Sequence, residues 1–277
     1  MRVDDIDIAY DDEGDGIPVV LVHGHPFNRS MWRPQVERLR TRYRVIAPDL
    51  RGFGETTIVP GTMPWTVFAD DLIGLLDCLG LEQVVLCGLS MGGQIVMELH
   101  RAHPSRVRAM VLADTFPDGE TAAGRELRHG MAARVLREGM GPYADEVLDK
   151  MLSPHNVVAL PAVAEHVLGM MRGTSPEGAA AAWLARAQRP DYVDSLSRAT
   201  VPALVVVGEE DEYTPVAVAE RMRAAIPGST LAVIPGAGHL PNLERPDEFT
   251  DAVERFLAGI PEGAEPADGR TAAGAEA

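Results

Sequence analysis

Cysteine is scarce in this chain. Its 277 residues include two, Cys78 and Cys87, too few for a disulfide framework and without the spacing of metal ligands. Both are expected to be small core residues in a reducing compartment. Cations are in short supply as well: 25 Lys and Arg face 41 Asp and Glu, a formal charge of -16. Such a surface repels a phosphate backbone or an anionic membrane, so neither nucleic acid nor a membrane is expected as a partner. No window approaches the roughly 18 consecutive apolar residues of a membrane span. The acidic start, MRVDDIDIAYDDEGDG, lacks the basic and apolar parts of a secretory signal, and a cytoplasmic location is expected. There is no internal repeat, and no motif calls for a metal or an organic cofactor.

What the sequence does contain is a rhythm. From residue 18 to 114, the short apolar runs PVVLVHG, YRVIAPD, VVLCGLS and VRAMVLAD alternate with stretches of helical period. Runs this apolar read as parallel strands covered on both faces by crossover helices. In the crossover at 65–79, Trp65, Phe68, Leu72, Leu75, Leu76 and Leu79 recur at helical spacing, with Asp70, Asp71 and Asp77 expected on a solvated face. Residues 117 to about 198 hold helix-like segments only, after which strands resume in PALVVVGEEDE and STLAVIPGAGH. An α/β core of residues 1–116 and 199–258, interrupted by a helical insertion at 117–198, is the simplest arrangement. A last helix is expected at about 243–258. The Gly-, Ala-, Pro- and Glu-rich stretch 259–277 is expected to be a disordered tail.

The segment VVLCGLSMGGQIVMELH places Gly88-Leu89-Ser90-Met91-Gly92 between a buried strand and an amphipathic helix. A G-x-S-x-G in that context is a nucleophile elbow, in which glycines make room for a sharp turn and the serine hydroxyl stands at a helix N-terminus. Serine needs a general base, and His239 in PGAGHLPNLERP follows the last strand in a glycine-bearing loop. His100, His103, His129, His155 and His166 have no motif context, and His23 reads as a loop support. A carboxylate must orient the imidazole and stabilise the imidazolium. Asp211 in VVVGEEDEYTP is the choice, among the solvated neighbours Glu209, Glu210 and Glu212, and Asp114 at the end of the preceding strand is its rival. For the oxyanion, backbone N–H groups are expected from Met91 and from the loop His23-Gly24-His25-Pro26-Phe27.

The motifs LVHGHPFNRSMW, APDLRGFGET, GLSMGG, GEEDEYTP and GAGHLPNLERP, spread over nearly the whole chain to about residue 258, resemble the α/β-hydrolase superfamily. The resemblance implies a mostly parallel sheet flanked by helices, with the insertion as a lid over Ser90. It assigns the second oxyanion N–H to His25, whose ring departs from the non-ionisable residue common there and faces either substrate or solvent. Phe27, Met131, Met140 and Trp183 become candidates for contact with substrate, with Met151, Met170 and Met171 behind them, although packing lid helices together is the other reading of these side chains. The implied activity is hydrolysis of a carboxylic ester or lactone of a small, largely apolar molecule, in the manner of esterases and enol-lactonases. Carbon–carbon bond hydrolysis and cofactor-free perhydrolysis would use the same triad, and a non-catalytic ligand-binding role is the alternative of a different class. Ser90 argues against the epoxide hydrolases and haloalkane dehalogenases, which place Asp at the nucleophile. Oligomeric state and natural substrate are not legible.

Overall fold

The computed structural model describes residues 1–261. Two short strands, Arg2–Val3 (β1) and Ile6–Asp7 (β2), form a hairpin. Then come Tyr10–Glu13 (β3), Pro18–Val22 (β4), Arg44–Pro48 (β5), Val84–Leu89 (β6), Val107–Ala113 (β7), Ala203–Gly208 (β8) and Thr230–Ile234 (β9). These last seven make one sheet in the order β3-β5-β4-β6-β7-β8-β9, parallel throughout except for the antiparallel β3–β5 edge. The chain thus adopts the α/β-hydrolase fold, with a helical insertion between β7 and β8. The three N-terminal strands carry no apolar alternation that would announce them. β3 reads Tyr-Asp-Asp-Glu and is held by its backbone ladder to β5 and by the ion pairs of Arg44 with Asp12 and Arg40 with Glu13.

The continuous apolar runs are explained by the two faces of the sheet. Successive side chains point to opposite sides, and here both sides are dry. Val19, Leu21, Val85, Cys87, Val111 and Val206 join one core cluster, while Val20, Val22, Leu86, Leu112, Val205 and Val207 join the other. Helices Arg33–Leu39 (α1) and, near the C-terminus, Pro246–Leu257 cover the first face; Val67–Cys78 (α2) and Met91–Ala102 (α3) cover the second. Each fully buried Val or Leu contributes about 1.5–3 kcal/mol by leaving water. Cys78 departs from expectation, for it is exposed at the end of α2, whereas Cys87 is buried. Asp71 is not solvated either. It is buried on α2 and takes two hydrogen bonds from Arg51, at 2.8 and 2.6 Å, and Arg51 also reaches Asp5.

The insertion comprises Ala122–Glu138 (α4), Met140–Met151 (α5), Pro154–Ala159 (α6), Pro161–Gly173 (α7), Pro176–Arg186 (α8) and Val193–Leu196 (α9). After β8 follow Val216–Ala225 (α10), Pro241–Glu244 (α11) and Pro246–Leu257 (α12). The single helix expected at 243–258 is therefore two. Pro246 has no N–H to continue α11 but fits the first turn of α12. Packing continues past the expected end of the core to Ile260, which is buried, and the remainder of the expected tail, residues 262–277, lies outside the described residues.

Two buried carboxylates fasten the insertion. Glu98 on α3, 1% exposed, accepts a hydrogen bond from the Tyr192 hydroxyl at 2.8 Å, and Tyr192 in turn accepts from the Trp65 indole. Glu244 on α11, 2% exposed, accepts from the Ser153 backbone at 2.8 Å, the Asn156 side chain at 2.7 Å and the Gly238 backbone at 2.8 Å. Tyr192→Phe leaves Trp65 without an acceptor and Glu98 short of a donor, a loss of about 1–3 kcal/mol. Urea unfolding of the variant is expected to show that deficit, and an unchanged midpoint would mean that the network contributes nothing.

Candidate active site

The carboxyl ends of parallel strands all open on one edge of the sheet, and the residues singled out by motif lie on the loops that leave that edge. β4 runs into His23-Gly24-His25, β6 into Ser90, β7 into Asp114, β8 into the loop carrying Asp211, and β9 into the loop carrying His239.

Ser90 has φ +55°, a left-handed backbone that a non-glycine residue adopts only when its surroundings force it. The forcing comes from crowding. A Cβ on Gly88 would overlap the Gly92 carbonyl, and one on Gly92 would overlap the Val22 carbonyl, so β6, α3 and β4 meet at a spacing only glycine permits. The Ser90 N–H donates to the Ala113 carbonyl at 2.9 Å, and its own carbonyl accepts from Gln94 N–H at 3.2 Å and the Thr115 hydroxyl at 2.8 Å. Its side chain is half-buried between fully buried Leu89 and Met91 and directly precedes the first turn of α3. The backbone N–H groups of Met91 and His25 have no protein acceptor among the described residues.

His239 and Asp211 are in contact. The ring Nδ1–H donates to Asp211 Oδ2 at 2.8 Å, which leaves Nε2 to face other groups. Asp211 is 3% exposed while its neighbours Glu209, Glu210 and Glu212 are all exposed, so a single carboxylate of the acidic run turns inward. Burial alone would raise its pKa, but the His239 ring and the hydrogen bonds from Thr214 outweigh that and bring it below the usual carboxylate range. The Tyr213 N–H donates to Asp211 Oδ1 at 2.8 Å, and the Tyr213 ring lies 5.0 Å from that of His239.

The rival, Asp114, is close by but differently employed. It has φ +45° and is 1% exposed; its Oδ1 accepts from the Gly208 backbone at 2.8 Å, and its Oδ2 has no partner. Burial, compounded by the charge of Asp211, pushes its pKa well above the ordinary value. Donor atoms of Asp114, Asp211 and His239 all lie within 4.8 Å of one another, a grouping of the kind that holds cations. The His239 nitrogen turned toward the pair is, however, committed to a hydrogen bond with Asp211, and burial disfavours the ionised Asp114 that a cation would need.

The two histidines of the loop after β4 are both buried. His23 Nδ1–H donates to the Gly24 carbonyl at 2.9 Å and Nε2 accepts from Leu50 N–H at 2.9 Å, which fixes one neutral tautomer. Its pKa is lowered by burial in spite of nearby Asp49. The His25 ring faces neither open solvent nor a bare pocket wall. It is 4% exposed, donates from Nε2 to the Ala179 carbonyl of α8 at 3.3 Å, and stacks on Trp183 with ring centroids 4.5 Å apart. Burial, and then the Arg186 charge, hold it neutral. Phe27 is fully packed in the core, as are Met140, Met151, Met170 and Met171 of the insertion's own helices, while Met131 and Trp183 are partly buried against that core.

Several residues of the site carried no sequence signal. Glu244, whose carboxylate grips the backbone beside His239, falls in an ordinary acidic stretch. Thr214 and Tyr213 gave none beyond their nearness to Asp211. Gln94 and Arg186 are joined across α3 and α8 by a 3.2 Å hydrogen bond that no local pattern encodes.

A family model described as alpha/beta hydrolase fold matches residues 17–246. A thermophilic esterase from Thermogutta terrifontis, solved with malate bound, superposes with a TM-score of 0.90 at 41% identity, over 92% of this chain and 94% of that one. The chain is 31% identical to 3-oxoadipate enol-lactonase 2 of Acinetobacter baylyi, over 83% of this chain and 84% of the relative. It is 30% identical to a putative non-heme chloroperoxidase of Synechocystis, over 91% and 95%.

The two carboxylates at the sheet edge have opposite effects on stability. Asp114, with its folded pKa raised, contributes stability that is complete below about pH 4, the unfolded value, and is lost as pH climbs through the folded value. Asp211, with its folded pKa lowered, contributes stability above that unfolded value and loses it as pH falls through the folded one. Asp114→Asn removes the first effect. Its stability relative to the wild type is expected to improve as pH climbs from about 4 toward the raised folded value in urea titrations, and a trend in the opposite direction would show an ionised Asp114.

Proposed function

The chain belongs to the α/β-hydrolase family, and from that premise we propose that it is a serine hydrolase cleaving a carboxylic ester or lactone of a small, largely apolar substrate through an acyl-enzyme on Ser90. The observation that carries this reading is the pairing of a left-handed Ser90 at the head of α3 with a His239–Asp211 hydrogen bond on the same strand edge. The similarity to an esterase and an enol-lactonase supports it.

In the proposed cycle, Ser90 Oγ attacks the acyl carbon while His239 Nε2 takes its proton. Asp211, kept ionised by its neighbours, holds the ring in the required tautomer and stabilises the imidazolium. The N–H groups of Met91 and His25 receive the oxyanion. His239 then protonates the departing alkoxide, which in a lactone stays tethered to the acyl group. Water, deprotonated by His239, attacks the acyl-enzyme, the acid leaves and Ser90 regains its proton. The insertion at 117–198 serves as a lid, with Met131 and Trp183, which are only partly buried, toward the substrate. A second reading, perhydrolysis, is favoured by the similarity to the chloroperoxidase: peroxide in place of water would attack the same acyl-enzyme. No step calls on a metal or an organic cofactor.

A fluorophosphonate probe is expected to label the wild type and not Ser90→Ala. His239→Ala and Asp211→Asn are each expected to lower ester turnover by on the order of 10³- to 10⁴-fold. Retained turnover in Asp211→Asn with loss in Asp114→Asn would exchange the two acids. Turnover is expected to survive dialysis against a chelator, and its abolition would count against the scheme. Absence of labelling in the wild type would favour a ligand-binding protein.

A further inference from the structure

Among the described residues, the buried and half-buried arginines of the core are matched with carboxylates, with one exception. Arg51 has Asp71 and Asp5, and Arg29 has Asp49, Asp11 and Glu55. Arg186, at the end of α8 and 7% exposed, makes no salt bridge among the described residues. Its one protein hydrogen bond runs from Nε to Gln94 Oε1 at 3.2 Å. Its guanidinium carbon sits 5.4 Å from the centre of the Trp183 ring, and that of Arg128 stands at the same distance. Arg189 completes the group. Arg128 is paired with Glu120, and Arg189 approaches the same carboxylate at 3.8 Å, so one anion serves three guanidiniums. The unsatisfied atoms here are all donors: Trp183 Nε1, Arg189 Nε and Arg189 Nη1 are buried without partners, and the two Nη groups of Arg186 have no protein acceptor. A guanidinium does not shed its charge to escape such a place, and burial together with Arg128 and Arg189 works against it. In a chain with 41 acidic and 25 basic residues, a surplus of enclosed cations is not a consequence of composition.

This cluster of donors adjoins the residues assigned to chemistry. Gln94, which takes the Arg186 hydrogen bond, donates its own backbone N–H to the Ser90 carbonyl, and Trp183 stacks on His25. We propose that Arg186, with the Trp183 indole N–H beside it, receives a carboxylate of the substrate, so that the molecule cleaved is an ester or lactone carrying a free carboxylate on an otherwise apolar frame. The proposal rests on Ser90 as nucleophile and narrows the substrate class of that reading. A planar carboxylate suits the two Nη groups, which can bind both of its oxygens, and its single charge offsets part of the surplus that Glu120 leaves.

The test compares kcat/KM for two aryl esters of equal chain length, a valerate and the half-ester of glutaric acid. The wild type is expected to prefer the half-ester. Arg186→Met is expected to lower the half-ester to valerate ratio by on the order of 10²-fold, Arg186→Lys by less, and Trp183→Phe by several-fold. A wild-type preference for the valerate, or a ratio that Arg186→Met leaves unchanged, overturns the proposal. If neither ester is turned over, the Ser90 reading has failed, and the site is judged by binding instead. Millimolar glutarate is expected to raise the melting temperature of the wild type and not of Arg186→Met. No shift, an equal shift in both proteins, or a larger shift with inorganic phosphate would refute the carboxylate site. Arg186→Met alone is expected to melt at or above the wild-type temperature, because it removes an unpaired buried charge; a lower temperature would mark Arg186 as a structural strut.

Discussion

A close approach of backbone to backbone sets the site where β6 turns into α3 beneath the end of β4. With no side chain on Gly88 or Gly92, the first turn of α3 sits against the Val22 carbonyl, and the residue between strand and helix is left in a conformation it would not choose. Everything at the sheet edge is referred to that corner. The loop after β4 is packed against it, the N–H of Ser90 is tied to β7, and the carbonyl of Ser90 is bonded from two sides. A left-handed serine persists only because these neighbours over-determine it. The energy that stabilises the distortion comes from the apolar residues on both faces of the sheet, far from the edge itself.

Electrostatics then sorts the groups gathered there. Asp114 and Asp211 lie close enough for one to suppress the ionisation of the other, and their hydrogen bonds decide which yields. Asp211 has His239, Thr214 and the Tyr213 backbone; Asp114 has one backbone N–H and an oxygen without a partner. The anion therefore resides on the carboxylate that faces the imidazole. Across the site, burial lowers the pKa of His25 and His23, which leaves His239 as the imidazole proposed to carry protons.

The sheet was legible because a strand buried on both faces must be apolar, and the runs at 18, 44, 84, 107 and 203 are so except at half-buried Arg44 and Arg108. The edge strand β3 was not, since it exposes polar side chains and is held by backbone bonds and ion pairs. The glycine signature of the corner and the chain order of Ser90, Asp211 and His239 were likewise readable, because backbone crowding leaves its mark on local sequence. Buried polar contacts between distant segments leave none. Asp71 reads as solvated because its partner Arg51 stands 20 residues away in the chain, and nothing around residue 186 distinguishes an arginine on a surface from one enclosed between α8 and α3.

Glu244 carries one further implication. Its two oxygens take N–H groups from the His239 loop on one side and from Ser153 and Asn156 of the insertion on the other. The insertion is therefore not an interchangeable cover. Exchanging α4 and α5 for those of a relative disturbs only what those helices touch, whereas a graft whose junction lacks the Ser153–Asn156 turn deprives the histidine loop of its footing. Recombination between members of this family should be tolerated at the outer helices and punished at that short turn, so the junctions of a chimera belong outside it.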